Sequence, residues 1–116
     1  MSAQSSFVVA REQRRYKRYI VKGSVVLQCS AGESRGTLLN LGKGGVLIRS
    51  KTVHTEGEKL SFCFDVRGYG ETFKARGLVV GTQADLSAIK FLAEPAGIEA
   101  LLLWLDQENC TWSGTV

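Results

Sequence analysis

The sequence is poor in the residues from which catalytic and metal centres are built. It holds one histidine, His54, and three cysteines, Cys29, Cys63 and Cys110, which are widely spaced and form no CxxC pair. That spacing excludes an ordinary zinc site. Cys29 and Cys63 read as small apolar residues within strands, and Cys110 as an exposed thiol near the C-terminus. No GxSxG serine or HExxH pair is present to employ His54, which sits in the polar stretch 51–57 and reads as a solvated loop residue. Asp65, Asp85 and Asp106 fall in a strand, a turn and a helix with no partner visible in sequence, and read as surface charge. No catalytic residue and no metal ligand is assigned, so the chain is not expected to be an enzyme. Long apolar runs are lacking too. None approaches the roughly 20 residues of a membrane span, so membrane insertion is not expected. The short apolar patch at Phe7–Ala10 has neither a charged leader nor a long apolar core, which excludes an ordinary secretory signal and makes the cytoplasm the expected compartment.

What remains fits one globular domain. The chain has 116 residues, 44% hydrophobic and 22% charged, enough to bury one core but not two. Residues 1–10 read as a flexible N-terminus. From Tyr19 onward short β-rich runs alternate with glycine and polar clusters, the pattern of an all-β sandwich or barrel. The expected strands are Tyr19–Cys29, Ser34–Leu41, Val46–Ser50, Lys59–Val66, Glu71–Val80 and Leu86–Leu92. In the fourth, Leu60, Phe62, Phe64 and Val66 share one face, and Ser61, Cys63 and Asp65 the other. Gly42-Lys43-Gly44-Gly45 joins the second and third as a hairpin tip whose glycines are free to adopt conformations closed to other residues. Pro95 and Gly97 end the last strand. Ile98, Leu101, Leu102 and Leu105 then recur at helical spacing, with Trp104 beside the stripe, so one amphipathic helix is expected to cover the sheet. Residues 110–116 read as a tail.

The charge is concentrated. From Arg11 to Lys22 six Lys and Arg residues stand against one Glu, a net +5, which leaves −1 for the rest of a chain whose total is +4. Guanidinium groups fork onto phosphate with two parallel hydrogen bonds, and also stack on bases or bridge O6 and N7 of guanine. A guanine nucleotide therefore suits this segment doubly. Taken on charge alone, the arm reads more readily as a solvated tail or a nonspecific nucleic-acid contact than as a small-ligand clamp. The glycine-rich tip is not a Walker loop, because it lacks the GxxxxGK[ST] spacing and no helix follows it.

Arg14-x-x-x-Arg18 is followed, 22 residues after Arg18, by Asn40-Leu-Gly-Lys-Gly-Gly45. Here the chain resembles the PilZ domain family, whose members carry an RxxxR segment before the first barrel strand and a [D/N]xSxxG motif at a hairpin. The resemblance covers residues 11–109 and implies a six-stranded antiparallel PilZ-type β-barrel with a C-terminal α-helix, acting as a cyclic di-GMP receptor. It assigns Arg14 and Arg18 to phosphates and guanine, Asn40 to a guanine edge, and Gly45 to the last glycine of the motif. Arg15 is adjacent and adds a phosphate donor; the alternative register Arg11 to Arg15 stays open. Gly42 departs from the pattern, standing where the motif has serine. The missing hydroxyl costs about 0.5–1.5 kcal/mol, roughly three- to tenfold in affinity, while a glycine there lets ligand and backbone approach closely.

Two readings follow. In the first, the arm closes over cyclic di-GMP and signals to a partner protein. In the second, a degenerate PilZ adaptor binds no nucleotide and works through protein contacts in motility, pilus or secretion machinery. Nucleic acid ranks last, because the strands offer scattered aromatics rather than a stacking platform. A cyclic dinucleotide with one adenine, and one ligand or an intercalated pair, all remain open.

Overall fold

The computed structural model describes residues 17–29, 32–52, 54–108 and 111–112. Arg11, Arg14, Arg15 and Cys110 lie outside the described residues, as does the expected N-terminal segment.

Alternation of apolar and polar side chains builds a barrel wall. The strands are β1 (Arg18–Cys29), β2 (Gly32–Gly42), β3 (Gly45–Ser50), β4 (Lys59–Val66), β5 (Thr72–Gln83) and β6 (Leu86–Phe91), followed by helix α1 (Ile98–Gln107) and a two-residue β7 (Thr111–Trp112). Neighbours run β1-β2-β3-β6-β5-β4, and β4 pairs back to β1, all antiparallel, so six strands close on themselves. Closure leaves the barrel without long free edges. β7 falls in the expected tail and pairs outside the barrel, Arg18 opposite Trp112 and Tyr19 opposite Thr111. In β4 the expected alternation is met residue for residue, with Leu60, Phe62, Phe64 and Val66 buried.

The interior is filled by Phe62, Phe64, Phe73 and Phe91, whose rings lie 5.2–6.2 Å apart. The ends of β2, β4 and β6 and the starts of β1, β3 and β5 share one end of the barrel, and α1 covers it. Ile98, Leu101 and Leu105 enter the common core. Each contributes about 1.5–3 kcal/mol by burial. Gly97 enters the helix with φ 83°, a conformation that favours glycine. Trp104 widens the contact by meeting Tyr69 of the β4–β5 turn edge-on, with ring centroids 5.2 Å apart.

Two expectations fail here. His54 is not solvated: it is 4% exposed, with Nδ1 3.6 Å from Glu58 Oε1. The loop carrying it is tied to β5, since Gly57 N–H donates to the Val79 carbonyl and Val79 N–H to the Glu58 carbonyl, and this folds the ring inward. The hairpin tip does not use left-handed glycines either. Those fall at Gly32, Gly57, Gly68, Gly70 and Gly97, whereas Gly42 and Gly45 serve close packing.

Candidate functional site

A β-bulge places Asn40. The β2–β3 register slips by one residue between Leu38 and Asn40, so Leu38 and Leu41, three apart, are both buried in the core. Asn40 consequently faces outward opposite Ile20, just as Gly42 lies opposite Arg18 on the same outer face. Ile20 is 57% exposed there, while Asn40 is only 8% exposed because neighbouring groups cover it. Arg18 Nη1 donates to Asn40 Oδ1 at 2.9 Å. Two residues separated by 22 positions thus form one polar pair at the root of β1.

The glycines next to this pair have no room for a side chain. A Cβ on Gly42 would stand 2.7 Å from the Lys17 carbonyl oxygen, 3.1 Å from Arg18 Cδ and 3.7 Å from Arg18 Nε. The arginine stem therefore runs across the glycine to reach Asn40. A Cβ on Gly45 would collide with the Ile89 carbonyl of β6. The tip is also fastened there, since Phe91 N–H donates to the Gly44 carbonyl at 2.8 Å.

Helix α1 touches both motif segments. Lys17 Nζ and Tyr19 Oη both donate to Asp106 Oδ1, at 3.2 and 2.9 Å. At the other end of the helix, Lys43 Nζ lies 3.6 Å from Glu99 Oε2. Burial pushes the Tyr19 phenol up to about 12, helped by its hydrogen bond to Asp106 and by that carboxylate's charge. Asp106 is therefore a structural tie rather than loose surface charge. Asp65 and Asp85 are also engaged: Asp65 Oδ1 accepts the Ser24 N–H, and Asp85 Oδ2 lies 3.4 Å from Arg49 Nε.

The sequence model of the PilZ domain matches residues 12–105. The chain belongs to the PilZ domain family. The PilZ fold is also seen in solved structures similar to it. One is the Bacillus subtilis inhibitor of motility (MotI/DgrA), with TM-score 0.65 and 19% identity over 84% of this chain and 51% of that one. Another is the PilZ domain of YcgR from Escherichia coli, solved with cyclic di-GMP, with TM-score 0.65 and 16% identity over 84% of this chain and 94% of that one. This PilZ chain thus spans about half the length of the Bacillus protein it matches. No curated protein matches it.

Of the residues singled out by sequence, the PilZ barrel brings together Arg18, Asn40 and Gly42, with Gly45 on the adjoining strand. Arg14 and Arg15 precede the described residues by a few positions. Among the described residues no cluster of His, Cys, Asp or Glu is suited to a metal, and no helix is long and apolar enough to cross a membrane. Sequence reading missed Lys17, Tyr19 and Asp106 as a group. Asp106 lies 89 and 87 positions from Lys17 and Tyr19, and no local signal joins it to them.

Proposed function

We propose that this PilZ domain is a cyclic di-GMP receptor, with Arg14, Arg15, Arg18, Asn40, Gly42 and Gly45 forming its ligand site. One observation carries the reading: Arg18 and Asn40, drawn from the two separate motif segments, meet at 2.9 Å on the outer barrel face where the arginine-rich segment joins β1. The family membership and the likeness in fold to the cyclic di-GMP complex of the Escherichia coli domain support it. Residues 11–16 add further guanidinium groups directly ahead of Arg18 in the sequence, and phosphate and guanine each accept charge-assisted hydrogen bonds from such groups. The arm closes over the dinucleotide and presents an altered surface to a partner protein in the cytoplasm. A nucleotide-independent adaptor is the second reading, and Gly42 in place of the motif serine motivates it.

Calorimetric titration with cyclic di-GMP and its mixed guanine–adenine analogue tests the proposal. Saturable binding that weakens with salt is expected, falling about 10- to 100-fold in Arg14→Ala and Arg18→Ala and less in Asn40→Ala. Absence of heat and of NMR shifts at millimolar ligand refutes it. A pulldown partner unaffected by nucleotide and by both arginine substitutions establishes the adaptor instead.

A further inference from the structure

Read from the motif alone, Gly42 is a defect, a serine hydroxyl lost from the ligand site. The surroundings of Gly42 assign it a different part. The Arg18 stem runs directly beside the space a Cβ would take, and the nearest atoms to that space belong to the two residues at the base of the arginine-rich arm, the Lys17 carbonyl at 2.7 Å and Arg18 Cδ at 3.1 Å. Real Cβ atoms essentially never approach another atom within 3.0 Å, and the closer of these two is backbone, which cannot rotate away. A side chain at this position requires the backbone of Gly42 or Lys17 to shift and the Arg18 stem to give by a few tenths of an ångström.

We infer that Gly42 is a positioning residue: it lets Arg18 lie across β2 and hold its guanidinium on Asn40, so the Arg18–Asn40 pair is assembled before any ligand arrives. This rests on the proposed ligand site and extends it to the residue that departs from the family pattern. An arginine restrained by a hydrogen bond loses less rotamer freedom when a ligand engages it, because part of its ordering is already done. The glycine therefore compensates for the absent hydroxyl by organising its neighbour, and serine in this chain is worse than glycine.

The opposed expectations for serine make the test decisive. Gly42→Ala adds bulk without a hydroxyl, and Gly42→Ser adds both. Positioning by Gly42 requires cyclic di-GMP affinity to fall about tenfold or more in each. If the hydroxyl were what the site lacks, Gly42→Ser would bind about three- to tenfold tighter than wild type, which overturns the inference. A second readout needs no ligand. In the free protein, the Asn40 side-chain amide resonances are expected to move in Gly42→Ala as they do in Arg18→Ala, and adding Gly42→Ala to Arg18→Ala is expected to move them no further. Asn40 resonances unchanged by Gly42→Ala also overturn it, while backbone spectra establish that each variant is folded. Should wild-type protein bind no cyclic di-GMP, the receptor reading fails by itself and the ligand-free spectra still decide whether Gly42 positions Arg18.

Discussion

Replacing Asp106 tests how the helix is fastened to the root of the arm. Two donors converge on its Oδ1. The Lys17 ion pair spans 3.2 Å between side chains 56% and 40% exposed, so water screens it and it contributes a few tenths of a kcal/mol, about 0.2–1 at most. The Tyr19 hydroxyl is 2.9 Å away, on a residue only 4% exposed. A hydrogen bond to a charged acceptor contributes about 1.5–3 kcal/mol when well shielded, and the half-exposed carboxylate places this one at or below the lower end. Asp106→Ala should therefore cost about 1–2 kcal/mol, and Asp106→Asn, which keeps an oxygen acceptor, less than about 1 kcal/mol. Urea denaturation measures the first directly, and a fall in Tm of about 4–10 °C accompanies it. The Tyr19 phenol supplies an independent check. Its pKa is raised in the folded protein to about 12, so the associated stability is present in full below pH 10 and is lost as pH rises through about 12. Ultraviolet titration of wild type minus Tyr19→Phe should place the Tyr19 ionisation near 12. In Asp106→Asn it should fall but stay above 10, because burial, the larger cause, persists. An Asp106→Ala variant within about 0.5 kcal/mol of wild type, or a Tyr19 that ionises at its ordinary value, refutes the tie.

Two further substitutions test the packing that holds the barrel and its helix. Leu101→Ala empties a fully buried position beneath α1 and should cost about 2–5 kcal/mol in urea denaturation. Gly45→Ala drives a methyl group into the Ile89 carbonyl at the β3–β6 contact, and should cost about 1–3 kcal/mol or more; a variant as stable as wild type shows that the strands can part there freely.

The barrel wall was legible because its signals are local. β4 alternates without exception, and α1 repeats Ile98, Leu101 and Leu105 at helical spacing, so both elements were found within two residues of their observed ends. β5 ran further than expected, to Gln83, because Gly81, Thr82 and Gln83 carry no apolar side chain to mark a strand, although they pair with Ala88, Ser87 and Leu86 of β6. His54 was misplaced for a similar reason. A polar run reads as solvated, and only the backbone bonds from Gly57 and Glu58 to Val79 turn its ring inward. The use of the tip glycines was likewise invisible, since composition cannot distinguish a glycine needed for a left-handed turn from one needed for contact with a neighbouring strand.

The sequence by itself determined the all-β class, the closing helix, the concentration of charge ahead of β1, and the two spaced motifs whose residues suit a phosphate-bearing guanine ligand. Those are properties of residue type and short-range spacing, which survive without a fold. Only the tertiary structure decided that Arg18 meets Asn40, that the bulge after Leu38 turns Asn40 outward, that the arginine stem lies against Gly42, and that Asp106 joins the helix to the root of the arm. Each depends on strand register or on contacts between residues distant in sequence. A one-residue slip reverses the face of every side chain beyond it, so such contacts exist only once the barrel has closed.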